Sequence, residues 1–371
     1  MRSGFARQTD TSRLRTRDIL AKCEAGDPLD LEDIAHLLKQ KNPGILERLA
    51  LAAGHLKERH FGRRIVLFAP LYLSNECVNN CLYCGFRRDN ASVPRRTLTV
   101  PEAVREAEIL ADRGFRRVLL VTAEHPSHAS VGYVCRVVEA ILRETRIREI
   151  GVNAAPMPTE DFRALRESGA TTYQCFQETY QPRVYGLVHP SGKKRDYMWR
   201  VDALDRALSA GFRQVGLGVL LGLWDFRGDV LAMVAHARQL MYRCGNLRVT
   251  VSLPRFRPAV GAALAYPPCP VTDSQFLQSV AVCRMALPTA EIAISTRERR
   301  GFREVLMKCG ASMMSAGSVT WPGGYAGASG SAPPGQFTIE DTRPVEQVCS
   351  ALVAKGLSPV YEAAAGARGG T

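Results

Sequence analysis

The chain contains no apolar run near the roughly 20 residues that a bilayer-spanning helix requires. Its first residues, Met1-Arg-Ser-Gly-Phe-Ala-Arg-Gln8, carry charge with no apolar stretch behind them, which argues against a secretory signal. Nor is there a disulfide framework: the eleven cysteines are odd in number and spread along a long chain. Together these absences predict a cytoplasmic protein in a reducing compartment. The formal net charge is +13, yet no long basic tail or RNA-binding motif accompanies it. The basic residues fall instead in short groups such as Arg63-Arg64, Arg87-Arg88, Arg116-Arg117, Arg299-Arg300 and Lys193-Lys194-Arg195. A solvated, arginine-rich surface explains this better than a nucleic-acid groove, and an acidic protein partner is a further use for it.

What is present is a chain of 371 residues, 46% apolar, enough for one large α/β barrel or for two domains. Residues 1–60 read as amphipathic helices; Leu46, Leu49, Ala50, Ala53 and Leu56, for example, share one face. From residue 65 a regular alternation begins. Apolar strand candidates lie at 65–73, 117–122, 149–154, 172–177, 214–220, 248–253, 291–295 and 312–316. Helix candidates follow at 101–113, 131–145, 159–168, 195–210, 228–243, 273–286, 300–309 and 341–355. Thr99-x-Pro101-Glu102 opens the first of these, and Gly114, Gly169, Gly211 and Gly310 close others. Eight strand–helix units with near-continuous apolar strands predict an α/β fold, a (β/α)8 TIM-type parallel barrel with an N-terminal helical extension. The weak strand after residue 149 leaves a doubly wound sheet or a six-unit partial barrel as alternatives. The expected division is a helical extension over 1–60, the barrel over 61–325, and a loop, last helix and tail over 326–371. Within that last part, 326–336 should be flexible and Ala363–Thr371 frayed.

Just after the first strand comes Leu73-Ser-Asn-Glu-Cys-Val-Asn-Asn-Cys-Leu-Tyr-Cys-Gly-Phe86, in which Cys77, Cys81 and Cys84 form a C-x3-C-x2-C array. Three thiolates on one short loop can hold three corners of a cubane iron–sulfur cluster. A structural zinc site closes with four protein ligands, so a missing fourth leaves one iron open to a small molecule. Such an open iron can deliver one electron to a bound cofactor. The plainer alternatives are a zinc knuckle or three unrelated core thiols. The other eight cysteines show no ligand spacing and read mostly as small buried hydrophobes.

With Tyr83 before the third cysteine, this stretch resembles the signature of radical S-adenosylmethionine (SAM) enzymes. The flanks Pro70-Leu-Tyr-Leu-Ser-Asn75 and Cys84-Gly-Phe-Arg-Arg-Asp-Asn90 narrow the resemblance to the aromatic-amino-acid lyases of the ThiH, HydG and NosL group. It extends from about residue 45 to 357 and implies the full eight-unit barrel, with a [4Fe-4S] cluster on Cys77, Cys81 and Cys84 and SAM as cofactor. Further matches imply roles for individual residues. Tyr83 and Phe86 would neighbour the adenine and the cluster, and Glu124, in Thr122-Ala-Glu-His125, would take the SAM amino group. Glu178, in Phe176-Gln-Glu-Thr-Tyr180, would accept from the ribose hydroxyls, and Arg200 would hold the SAM carboxylate. Tyr180 would shape the substrate pocket. The glycines from Gly216 to Gly222 would let backbone approach a ligand, and Pro254-Arg-Phe-Arg-Pro258 would make a rigid cationic wall. A substrate carboxylate entering an apolar pocket needs a cation, and Arg297, assisted by Ser318 and Ser315, is the choice.

The activity so implied is cleavage of the Cα–Cβ bond of L-tyrosine to 2-iminoacetate (dehydroglycine) and p-cresol, as in thiazole and thiamine biosynthesis. A flavodoxin or ferredoxin would supply electrons, and a thiazole synthase would be a partner. A tryptophan lyase is the second choice, because ring selection rests on pocket shape. A maturase relative is the third, since Pro359-Val-Tyr-Glu-Ala-Ala-Ala365 carries no cysteine for an auxiliary cluster. From another class, a zinc-stabilised basic RNA-binding module remains open.

Overall fold

The run Arg64–Ser74, buried at all but three of its positions, forms the longest strand, β1, in the computed structural model. The structure describes residues 2–327 and 333–361, with side chains from Leu14 onward. Seven shorter strands follow: β2 Arg117–Thr122, β3 Glu149–Asn153, β4 Thr172–Gln174, β5 Gln214–Gly218, β6 Arg248–Ser252, β7 Glu291–Ile294 and β8 Met313–Ser315. Each pairs in parallel with the next, and β1 pairs with both β2 and β8, so the eight close into a barrel.

Three helices precede the barrel, α1 Arg2–Ala25, α2 Leu31–Leu38 and α3 Pro43–Phe61. Those on its outside are α4 Val100–Asp112, α5 Val131–Glu144, α6 Thr159–Glu167, α7 Pro182–Val188, α8 Tyr197–Val201, α9 Ala203–Ser209, α10 Phe226–Arg243, α11 Asp273–Ala286, α12 Phe302–Lys308 and α13 Val345–Val353. Their starts are chemically marked. Thr99 and Glu102 make a reciprocal capping box on α4, as Thr272 and Gln275 do on α11. Gly114, Gly169, Gly211 and Gly310 all adopt positive φ just past a helix end, as expected. Between strands and helices the core is apolar: Phe162 and Phe212 close edgewise or tilted around the buried Tyr173 ring, at 4.6 and 6.4 Å.

The leading helices rest on the outer layer, not over the mouth. Gln278 of α11 donates to the Leu37 carbonyl at 2.7 Å, and Arg238 of α10 donates to the Leu29 carbonyl at 2.6 Å.

Three expectations change. The helix read over 195–210 is broken into a 3-10 turn, Lys193–Arg195, then α8 and α9, because Asp196 turns its carboxylate onto the Trp199 amide and starts a new helix. The unforeseen α7 comes before them. Residues 175–177, read as strand, lie beyond β4 although Cys175 and Gln177 still donate to carbonyls of β5. A ninth strand, β9 Ser358–Val360, pairs in parallel with Arg64–Val66 at the entry end of β1. The stretch expected to be flexible is described only outside 328–332, and the tail from Ala363 lies outside the described residues. Among the described residues no helix is long and apolar enough to cross a membrane.

Candidate active site

The C-terminal ends of the barrel strands open into one cavity, the position where this fold carries its chemistry. Cys77, Cys81 and Cys84, on the loop after β1, all line it, and among the described residues no fourth cysteine and no histidine does. The Cys77 sulfur accepts from the Asn79 amide and the Cys84 sulfur from the Phe86 amide, each at 3.4 Å. The loop is braced from outside: Leu82 N–H donates to Val188 O at 3.0 Å and Asn80 N–H to Ser191 O at 3.2 Å. Gly192 has φ +92°, and a Cβ there would stand 2.3 Å from Asn79 Oδ1, so only glycine lets the two segments meet.

This donor set fits a cubane cluster. Among the described residues no three His, Cys, Asp or Glu side chains gather around a single metal ion, which is what a zinc cage needs. A cubane asks instead for one thiolate per iron, and three on one wall leave one iron for a non-protein ligand. Burial pushes the Cys81 thiol up to about 12 and raises Cys84 as well; bound iron would reverse this, since a coordinating thiol is deprotonated outright.

Beside the loop, Asn79 bridges two walls. Its Nδ2 donates to Glu124 Oε2 at 2.6 Å and its Oδ1 accepts from the Lys194 amide at 2.8 Å. Lys194, read as a surface charge, turns inward: its Nζ donates to Glu178 Oε1 at 2.6 Å inside the cavity. Burial alone would raise the Glu178 carboxyl, but Lys194 and Arg200 outweigh it and hold the group below its ordinary range. Glu178 sits at φ +71°, the one non-glycine residue with positive φ among those described. Arg200 is buried at the same wall and donates from Nε to Phe176 O at 2.7 Å. Tyr83 and Phe86 line the cavity too. The Tyr83 hydroxyl meets His189 Nε2 at 2.8 Å and His189 Nδ1 faces the Tyr185 carbonyl at 2.9 Å; burial, with Lys194 and Arg200 nearby, holds the imidazole well below its ordinary range.

Across the cavity stand Arg297, after β7, and Ser318, after β8. Burial depresses the Arg297 guanidinium to about 10, and among the described residues it has no ion-pair partner. The buried Ser318 hydroxyl has no hydrogen-bond partner among them either, whereas Ser315 Oγ accepts from the Thr296 amide at 3.2 Å and is already used. A cation and a hydroxyl that line one cavity, each without a polar side-chain partner among the described residues, can take a carboxylate.

Some expected roles do not survive. Tyr180 does not line the cavity; past the Glu178 turn its ring goes into the core, its hydroxyl meeting His236 Nδ1 at 2.8 Å. Arg255 and Arg257 form no cationic wall, because Glu298, Asp273 and Glu340 take both guanidinium groups outside the cavity. Gly216 and Gly218 make room for protein, not ligand: a Cβ would strike the Gln174 side chain at 2.5 Å or Ser252 O at 2.7 Å. Sequence reasoning missed Asn79, Lys194, Gln336 and Phe337, all of which line the cavity. Only Asn79, inside the cysteine array, had a local signal.

The sequence profile of the radical SAM superfamily matches residues 71–237, and that of the Biotin and Thiamin Synthesis associated domain matches residues 252–358. The chain is 35% identical over 335 residues to 2-iminoacetate synthase of Escherichia coli (strain K12), covering 90% of this chain and 87% of that protein. It is similar to the FeFe-hydrogenase maturase HydG from Carboxydothermus hydrogenoformans with a TM-score of 0.89 and 37% identity, over 96% of this chain and 81% of that one. Methylornithine synthase (PylB), at 22% identity and a TM-score of 0.76, shares the fold.

Proposed function

The chain belongs to the radical SAM superfamily, in the group that holds 2-iminoacetate synthase, and from that premise we propose that it is a carbon–carbon lyase acting on free L-tyrosine. Tyrosine gives up one hydrogen atom before its Cα–Cβ bond breaks, and one electron from the reductant with one proton then replaces that hydrogen on the aromatic fragment, so the products are 2-iminoacetate and p-cresol. The observation that carries the reading is the buried Arg297, without an ion-pair partner among the described residues, lining the same cavity as the three cysteines.

Cys77, Cys81 and Cys84 would hold a [4Fe-4S] cluster and Glu124, Glu178 and Arg200 the SAM. When bound, the pair supplies one-electron reductive cleavage of a carbon–sulfur bond and hence a hydrogen-abstracting radical. The remaining work belongs to the chain's own side chains. Arg297 binds the substrate carboxylate with Ser318 as second donor, which fixes Cα relative to the cysteine wall. Tyr72, Phe86 and Phe337 give the cavity aromatic faces that exclude water and stray hydrogen donors. Glu178 must be shared between Lys194 and any incoming hydroxyl pair, so Lys194 sets its charge before a ligand arrives. A reducing, cytoplasmic setting, a flavodoxin or ferredoxin donor and a thiazole synthase consuming the unstable imine complete the reading.

Anaerobic incubation of the iron-loaded protein with SAM, dithionite and each aromatic amino acid tests it. Release of p-cresol from tyrosine is expected. Formation of 5′-deoxyadenosine with tryptophan alone would overturn the substrate.

A further inference from the structure

We propose that the outer side of the cysteine loop is a docking face for a small acidic electron-carrier protein; this rests on reading the chain as a reductively activated enzyme. The triplet Lys193-Lys194-Arg195 is divided by its 3-10 turn. Lys194 points into the cavity, while Lys193 and Arg195 are exposed. Among the described residues neither of those two has an ion-pair partner, and Arg195 reaches only the Pro190 carbonyl, at 3.3 Å.

Neighbouring segments extend the patch. Arg183 and Leu187 lie four residues apart on one exposed face of α7, Leu187 being 65% exposed, and Met198 on α8 is 58% exposed. Tyr185 packs beneath this surface against Tyr197, with ring centroids 5.1 Å apart, which ties α7 to α8. The nearby acids are occupied: Asp89 faces Arg87 and Arg88 at 3.7 and 3.0 Å, and Asp196 caps α8. What remains free is cationic charge around apolar side chains, the composition that recognises an acidic protein surface.

Its location gives the patch a purpose. Val188, directly behind it, packs in one apolar cluster with Cys81 and Tyr83, and Leu82 and Asn80 donate to the 188–191 backbone. A single layer of chain therefore separates the patch from the cysteine sulfurs. An electron entering here leaves the carrier oxidised by one unit and the iron–sulfur centre reduced by one. The chemistry favours a protein over RNA, because the Trp199 ring, which a base might otherwise stack on, is covered by Arg206 with its guanidinium carbon 3.6 Å from the ring centre.

The test compares wild type with the double variant Lys193→Glu/Arg195→Glu, both iron-loaded. Bleaching of cluster absorbance is followed by stopped flow after mixing with reduced flavodoxin, and separately with dithionite. The variant should be slowed about 10-fold or more with flavodoxin at low salt, with the difference shrinking as salt rises. Dithionite reduction and dithionite-supported 5′-deoxyadenosine formation should match wild type. Equal flavodoxin rates alongside intact dithionite turnover overturn the docking face alone. So does an equal loss with both reductants, which would mark a structural defect, or salt-sensitive RNA binding with no flavodoxin response. Absence of dithionite-supported turnover in the wild type would strike the lyase reading itself and the docking face with it.

Discussion

The guanidinium carbon of Arg297 lies 3.5 Å from the centre of the Phe337 ring. This contact stands in for a counter-ion, since an aromatic face attracts a desolvated cation. Phe337 belongs to a strap across the barrel mouth. Gln336 N–H donates to Thr320 O at 3.1 Å, Gly85 N–H donates to Gln336 O at 3.0 Å, and Thr338 and Glu340 donate to Pro258 and Thr296, each at 2.9 Å. One short segment thus joins the cysteine loop to the arginine.

Arg297→Lys should raise KM for tyrosine about 10- to 100-fold, the loss of roughly 1.5–3 kcal/mol expected when a charge-assisted pair is degraded. SAM affinity, measured by calorimetry on the reconstituted enzyme, should stay within about twofold. A matching loss of SAM affinity would remove Arg297 from the substrate side.

Glu298, 1% exposed, anchors Arg255 and Arg257, while Arg257 Nε donates to the Arg297 carbonyl at 2.6 Å. Glu298→Gln should lower unfolding free energy by about 2 kcal/mol and raise the tyrosine KM without changing SAM binding. Chemical denaturation and steady-state kinetics check the two halves separately.

Lys194→Met removes the hydrogen-bonded cation from Glu178, leaves burial opposed only by the more distant Arg200 and Arg297 charges, and so raises that carboxyl. In wild type the group is ionised across the neutral range, so SAM affinity should be flat there. In the variant, SAM binding should weaken as pH falls and recover as it rises, because only the ionised form accepts from two hydroxyls. A flat profile for both proteins would separate Glu178 from the ribose.

Asp229 of α10 holds the turn behind Glu178: its Oδ1 accepts from Thr179 Oγ1 at 2.9 Å and from the Tyr180 amide at 2.7 Å. Burial, chiefly, raises this carboxyl to about 7. The folded value is above the unfolded one near 3.9, so the native state keeps a proton that the unfolded chain gives up. Stability should therefore decline from about pH 4 to about pH 7 and level off above. Asp229→Asn keeps both acceptor contacts and should reduce that slope, as unfolding midpoints across the range would reveal.

The barrel was legible because its strands are largely buried: 118–121 within Arg117–Thr122 and 215–218 within Gln214–Gly218 hold no polar side chain. That Cys77, Cys81, Cys84, Glu124 and Glu178 share one cavity was legible as well, since each lies in a short motif just after a strand. What escaped was direction. Lys193, Lys194 and Arg195 are alike in composition, and only a 3-10 turn sends the middle one inward. Tyr180 follows Glu178 by two residues, yet the positive φ between them and the strand diverts it into the core. Gln336 and Phe337 reach the cavity from far along the chain, by backbone bonds that no side-chain pattern announces.

The pairing of β9 with Arg64–Val66 has a practical corollary. Those residues begin β1, whereas the cysteines follow its far end, so Tyr361 emerges on the side of the barrel opposite the mouth. A fusion or tether attached beyond that point would hold the molecule by its base and leave the opening facing solution.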